Sequence, residues 1–247
     1  EKYKIQTKFR MIRTNYGSLN GDFFAEHEEV VVATDNFSFE DFLEIRGLNF
    51  LFYAVFALDF YKWFFQYIRS IKVPLADFFI DFLHPDLSIS WPKDYLLFLD
   101  DFKNTVEGEL FDTEDELKQH AQNVYRQNNN EVGQPQRLNI YLGARLIFIE
   151  NSWLKDVLKR HLEKYVDMGN EEIKKSVDFM LDLCSQERIN PREIKTIEPL
   201  SVEYDVISWK KSKFREPLQK KQGKSPYIKF SVDDDSRLLI EGFQEKF

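Results

Sequence analysis

One stretch, residues 38–71, constrains the fold of this chain more than any other, because it begins like a helix and then becomes apolar on every side. Ser38 and Asp41 have the spacing of a capping box, in which each side chain accepts a hydrogen bond from the other residue's amide. Within residues 48–58 only Asn49 is clearly polar. This apolar run is shorter than the roughly 20 residues needed to cross a bilayer. The sequence therefore predicts one central core helix over residues 38–71, buried all round in its first half.

The second half of this helix is predicted to have one solvated face. Asp59, Lys62, Gln66 and Arg69 recur three to four residues apart, which places them on one side of a helix. Phe56 falls in the apolar half, so we expect its ring to be buried and Lys62 to be exposed.

The composition limits which partners and which chemistry can be expected of this chain. Phe occurs 24 times in 247 residues, so the core is expected to use rings more than branched aliphatic side chains. A net charge of -8 makes nucleic acid an unfavoured partner. The single cysteine, Cys184, excludes an intrachain disulfide and any cysteine-built zinc or iron–sulfur site in this chain, and indicates the reducing cytoplasm. Since the first residue is Glu1 and no secretory signal is visible, we expect a fragment of a longer protein.

The N-terminal segment is predicted to form a strand pair. Residues 3–11 alternate with the period of a strand, residues 30–34 form a second apolar strand, and residues 16–21 supply turn residues between them. Two strands alone make only a marginal sheet. We therefore expect Phe9 and Met11 to be buried under the central helix or against a second copy of the chain, which would make a homo-oligomer through these strands.

Helical spacing continues along the chain, and the period changes near its end. The predicted C-terminal piece is a strand over residues 200–206, a basic loop over 210–224, a strand over 227–232 and a short helix over 239–247. The basic loop is interpreted as a solvated loop rather than a contact for nucleic acid or an acidic protein. The other predicted elements are helices over 76–83, from Ser90 to Gly108, from Thr113, over 138–165 as one helix or two, and from Asn170, with a loop over 127–136 that could be a subdomain junction.

These patterns define a mainly α fold of the α+β class. It comprises a helical domain around one buried central helix, an N-terminal strand pair and a small C-terminal strand–loop–strand–helix piece. The expected domains are 1–37, the strand pair and tail of an upstream barrel; 38–199, the helical domain; and 200–247, a small α/β tail packed on the helical domain.

No residue is assigned a catalytic, cofactor-binding or metal-binding role. His27 lies in a Glu-His-Glu-Glu run whose side chains alternate between faces, which predicts a charged solvated segment. His161 and Cys184 fall on apolar helix stripes and are interpreted as a hydrogen-bonded helix residue and a small buried side chain. Phosphate-binding loops, dinucleotide fingerprints and hydrolase motifs do not occur in the sequence. The chain alone is therefore not expected to be an enzyme.

Residues 30–83 (VVVATDNFSFEDFLEIRGLNFLFYAVFALDFYKWFFQYIRSIKVPLADFFIDFL) resemble the region after the catalytic barrel in cobalamin-binding radical S-adenosylmethionine (radical SAM) proteins. In that family a strand ending in a phrase like VVATDNFSFEDF, usually after a Tyr-Gly loop as at 16–17, leads into a helix resembling 46–48. A second helix follows a break resembling 72–74. A looser similarity covers residues 202–210 and the C-terminal strand and helix.

The resemblance implies that this chain is the accessory C-terminal domain of a radical SAM enzyme, covering the barrel or positioning substrate. The parent would be a methyltransferase or a ring- or carbon-skeleton-modifying enzyme, with a four-iron four-sulfur cluster, S-adenosylmethionine and cobalamin held by upstream barrel and cobalamin domains. The family's Cys-x-x-x-Cys-x-x-Cys and Asp-x-His-x-x-Gly motifs are absent here, so none of its cofactor-binding residues can be assigned. The alternative is a stand-alone helical protein-interaction module without radical chemistry.

Overall fold

The chain is mainly helical with a smaller β component, which confirms the predicted class. The structure, a computed structural model, describes residues 3–20, 22–127, 138–148, 151–187, 200–201, 203–220 and 227–228. The helices within these ranges are α1 (Phe39–Phe56), α2 (Lys62–Ser70), α3 (Leu75–Leu83), α4 (Lys93–Gly108), α5 (Glu114–Gln127), α6 (Leu138–Phe148), α7 (Asn151–Leu162), α8 (Glu171–Glu187) and α9 (Val206–Lys211). The strands are β1 (Gln6–Leu19), β2 (Asp22–Ala33), β3 (Leu110–Phe111), β4 (Leu200–Ser201) and β5 (Tyr227–Ile228).

The predicted strand pair is an antiparallel hairpin of β1 and β2. Both strands are longer than the alternation indicated. In β1, residues 16–19, which were predicted to be part of the turn, continue the strand. The chain reverses at Asn20, whose φ of 54° is the left-handed conformation that Asn tolerates. β3 adds to β1 at Phe9 and Arg10 alone, which gives the sheet order β2-β1-β3.

The prediction of one continuous central helix over residues 38–71 is wrong. α1 ends at Phe56 and α2 begins at Lys62, and between them Asp59 and Tyr61 have left-handed backbone, with φ of 53° and 44°. This turn places the rings of Phe60 and Tyr61 in the core, where they are 2% and 1% exposed. No Gly or Pro marks the break, so the residue pattern gave no signal for it.

Burial of α1 also differs from the prediction. Phe50 and Leu51 are buried, but Phe52 is 39% and Phe56 is 48% exposed, so one side of the helix faces solvent. The predicted capping box is confirmed: the Ser38 amide donates to Asp41 Oδ2 at 2.7 Å, and the Asp41 amide donates to Ser38 Oγ at 3.1 Å.

The chain divides into two compact contact units, residues 1–51 with 96–143 and residues 52–95 with 144–247. In the first unit, α5 packs on both strands of the hairpin, and Phe50 of α1 packs on Phe98 and Phe102 of α4 with ring centroids 6.3 and 5.5 Å apart. The α5 contact corrects the expectation that Phe9 and Met11 are buried under the central helix, since both are only half-buried in β1. The predicted domain boundaries after residues 37 and 199 stay a prediction.

The second unit has an aromatic core. In it α2 packs on α8, α3 packs on α7, and α7 packs on α8. Edge-on and tilted rings fill the space around α2 and α3, with centroids 5.1 to 6.4 Å apart; they belong to Phe64, Phe65, Phe78 and Phe79. The expectation that rings dominate the packing is met in this unit.

Most of the other predicted helices are present. The helix over 76–83 is α3, and the starts predicted near Ser90, Thr113 and Asn170 precede α4, α5 and α8. The spacing over 138–165 belongs to two helices, α6 and α7. The predicted loop over 127–136 lies outside the described residues except for its first one.

The C-terminal piece differs in part from the prediction. The strand expected over residues 200–206 is limited to β4, and α9 begins at Val206. The Asp205 side chain caps α9 by accepting from the Ser208 amide at 3.0 Å, a start signal that the alternating pattern obscured. β4 and β5 pair antiparallel. The predicted terminal helix lies outside the described residues, and none of the described helices has the length and apolar character needed to cross a membrane.

Candidate functional site

The titratable residues considered from the sequence do not come together. Among the described residues, no three His, Cys, Asp or Glu side chains form a group that could hold a metal ion. In the Glu-His-Glu-Glu run of β2, Glu28 pairs with Arg10 across the hairpin, Glu29 accepts from Thr7 Oγ1 at 2.6 Å, and His27 packs edge-on against Phe9. The carboxylates of Glu28 and Glu29 therefore serve as cross-strand partners.

His161 is a core residue of α7, as its place on an apolar stripe predicted. It is 0% exposed and stacks on Trp91 with ring centroids 4.5 Å apart. Its Nε2 lies 3.0 Å from the Tyr95 hydroxyl, whose proton is donated to the Phe82 carbonyl oxygen. Nε2 must then carry the proton that His161 gives to Tyr95, which leaves Nδ1 as a buried acceptor without a partner among the described residues.

Burial lowers the pKa of His161 to about 4, and the nearby charge of Lys164 acts in the same direction. Protonation would place a hydrogen on buried Nδ1, where the described residues offer no acceptor. His161 is therefore a neutral structural side chain at pH 7 and not a base in contact with solvent. Cys184 is likewise buried, at 1% exposed.

The described part of the second contact unit contains a cavity of about 950 Å³ that no sequence motif predicted. Its walls are the C-terminal end of α2 with the turn that follows it, the start of α8, and the loop after α9. The lining residues used below are Tyr67, Arg69, Lys72, Glu172, Ser176, Tyr204 and the loop over residues 213–220.

Residues 213–220 of the basic loop form one wall of this cavity and are held by contacts at two places. At one end, Phe214 packs edge-on against Trp209 and Trp63, with centroids 4.8 and 6.0 Å away. At the other end, the Gln219 carbonyl oxygen accepts from the Asp205 amide at 2.9 Å. These contacts hold the backbone of residues 213–220, and the basic side chains of this segment are exposed, in agreement with the interpretation as a solvated loop.

Buried hydroxyl groups form the floor of the cavity. Ser176 Oγ donates to the Tyr204 hydroxyl oxygen at 3.0 Å, and both residues are buried. Burial raises the pKa of the Tyr67 phenol, and the neighbouring Ser176 hydroxyl acts in the opposite direction.

The hairpin offers a second candidate site, a docking edge. In the order β2-β1-β3, the outer edge of β2 pairs with no described strand, and β3 covers the other edge of β1 at two residues only. Large apolar side chains of the hairpin are exposed: Phe24 48% and Val31 46% in β2, Leu19 68% at the end of β1, and Tyr3 56% and Ile5 58% before β1. Open edges and exposed apolar groups are the features that strand addition uses.

No protein-family model, curated protein or solved structure matches this chain. The resemblance of residues 30–83 to cobalamin-binding radical SAM proteins therefore remains a proposal.

Proposed function

We propose that this chain is the accessory C-terminal domain of a cobalamin-dependent radical SAM enzyme, which docks on the upstream barrel and covers it or positions substrate. The open outer edge of β2 carries the proposal, because a hairpin continuing an upstream sheet would have such an edge. The chain itself does no radical chemistry. In this proposal the four-iron four-sulfur cluster, S-adenosylmethionine and cobalamin are bound by the upstream domains. The parent enzyme is a cytoplasmic methyltransferase or a ring- or carbon-skeleton-modifying enzyme. Nucleic acid is not a partner.

The order of elements over residues 30–83 supports this proposal. The end of β2 leads through a turn into α1, α2 follows after a break, and Lys72 with φ of 69° separates α2 from α3 next to Pro74. The resemblance implies a strand that leads into a helix, and a second helix after the break resembling 72–74, so α3 is in the position of that second helix. The break between α1 and α2 is not part of the pattern that the resemblance implies, residues 46–48 lie within α1, and residues 16–17 lie within β1.

The docking edge can be tested by self-association, since an unsatisfied edge pairs with a second copy when its own partner is absent. We expect the isolated chain to dimerise as its concentration rises in sedimentation velocity. Val31→Lys places a charge on the edge strand and should shift the midpoint of association to at least about tenfold higher concentration, because a charge at an edge opposes pairing.

Leu97→Lys is the matched control, since Leu97 on α4 is 51% exposed and Val31 is 46% exposed. It should leave the association unchanged. If the chain stays monomeric at millimolar concentration, or if Val31→Lys and Leu97→Lys change the association equally, β2 is not a docking edge.

The proposal also predicts that the isolated chain retains neither iron nor cobalamin. Four-iron clusters are held by several cysteine thiolates, whereas this chain has one cysteine, and Cys184 is buried. The chain is reconstituted anaerobically with iron and sulfide, and separately with hydroxocobalamin, and is then desalted before metal analysis. Stoichiometric retention of either cofactor would contradict the assignment of both to upstream domains.

A further inference from the structure

We propose that the cavity between α2, α8 and the loop over residues 213–220 binds the phosphate group of a small phosphorylated ligand. The inference does not depend on docking to an upstream domain. It rests on the charge of the cavity walls, on one hydroxyl proton at its floor and on the fixed position of the loop.

The walls are positively charged although the protein is acidic. Five basic side chains line the cavity, Arg69, Lys72, Lys213, Arg215 and Lys220, against the carboxylates of Glu172 and Glu216. Lys220 is paired with Glu172 at 3.2 Å. In the part of the chain that the structure describes, the other four cations have no carboxylate within ion-pair distance. Unpaired cations around one concavity attract an anion, and their grouping stands out in a chain whose net charge is -8.

The floor supplies a hydrogen-bond donor. Ser176 Oγ donates to the Tyr204 hydroxyl oxygen at 3.0 Å, and both residues are buried. While it accepts from Ser176, the Tyr204 hydroxyl can donate its own proton to an anionic oxygen in the cavity.

The loop is held in a conformation that its own residues disfavour. Lys213 and Phe214 have φ of 56° and 61°, and Lys72 on the opposite wall has φ of 69°. Left-handed backbone is disfavoured for residues other than glycine, and such residues cluster at ligand-binding segments. Here the packing of Phe214 against Trp209 and Trp63 offsets that cost and positions Lys213 before any ligand arrives.

The size of the cavity favours a small molecule. Sites for small ligands have volumes of roughly 300 to 1,000 Å³, and this one measures about 950 Å³. A phosphate group combines the negative charge that the walls favour with several acceptor oxygens for Arg and Tyr donors. That group could belong to a soluble metabolite or to a lipid headgroup.

The test uses the whole chain and two phosphate probes. Pyrophosphate is titrated calorimetrically at low ionic strength, and cosedimentation is measured with phosphatidylcholine vesicles that contain or lack phosphatidic acid. We expect saturable binding of one pyrophosphate per chain that weakens as salt is added, or cosedimentation that requires phosphatidic acid. Pyrophosphate binding alone assigns a soluble ligand, and vesicle binding assigns a lipid headgroup.

Two variants tie the binding to this cavity. Arg69→Gln removes an exposed cation, and Tyr204→Phe removes only the hydroxyl, so each should weaken the affinity about tenfold, the value of one hydrogen bond to a charged group. Lys175→Gln is the control, because Lys175 is an exposed cation of α8 outside the lining.

Circular dichroism and a melting curve check that each variant is folded. Absence of binding by either probe would overturn the proposal. So would equal affinities of the folded Arg69→Gln and Tyr204→Phe variants and the parent chain.

Discussion

Phe64→Asp is expected to abolish cooperative folding, whereas Phe56→Asp should leave a folded protein. Phe64 is 0% exposed in α2, at the centre of the aromatic core, and Phe56 is 48% exposed at the end of α1. An unpaired charge in a protein interior costs several kcal/mol, and a whole domain is stable by only about 5–15 kcal/mol. Changes at exposed positions usually stay within about 0.5 kcal/mol.

The measurement is urea unfolding followed by circular dichroism, with soluble yield as a second readout. Phe64→Leu is the matched control for the loss of the ring without a charge, and it should remain folded with a lower midpoint. Equal midpoints for Phe64→Asp and Phe56→Asp would mean that α2 does not lie at the centre of the core.

Acid should destabilise the protein through His161 before most carboxylates titrate. The pKa of His161 is lowered from 6.5 to about 4 in the folded chain. The unfolded chain therefore takes up this proton first as the pH falls, and stability present above pH 6.5 is lost between about pH 6.5 and pH 4. By linkage the loss reaches roughly 2 kcal/mol at pH 5 and roughly 3 kcal/mol at pH 4.

His161→Phe should remove this part of the pH dependence, because a ring that cannot be protonated keeps the stacking on Trp91. The free energy of unfolding is measured for both proteins from pH 7 to pH 4, and the difference between the two curves isolates His161 from the carboxylates. The groups that face it, Tyr95 and the ion-paired Asp81 and Lys164, are present in both proteins. Parallel curves would show that His161 is not buried as a neutral ring.

The sequence predicted those elements whose signals are local. The capping boxes at Ser38 and Thr113 and the alternation in β1 correctly indicated two helix starts and a strand, since each depends on neighbouring residues. The break after Phe56 could not be predicted in this way. It is set by the burial of Phe60 and Tyr61, which is a tertiary effect.

The cavity was missed for a related reason. Arg69 was interpreted as part of a solvated helix face and Lys213 as part of a solvated loop, and both are exposed. What brings them to one cavity is the anchoring of Phe214 by the neighbouring Trp209 and by Trp63, which is far from both in sequence. The helical spacing of Val206 and Trp209 after Asp205 was the available signal, and the preceding alternation concealed it.

The most direct test of the accessory-domain proposal is the coding sequence immediately before Glu1. We expect the reading frame to continue upstream and to encode a Cys-x-x-x-Cys-x-x-Cys motif, with an Asp-x-His-x-x-Gly motif further upstream for cobalamin. A natural start codon at Glu1 or just before it would contradict the proposal and favour the stand-alone interaction module.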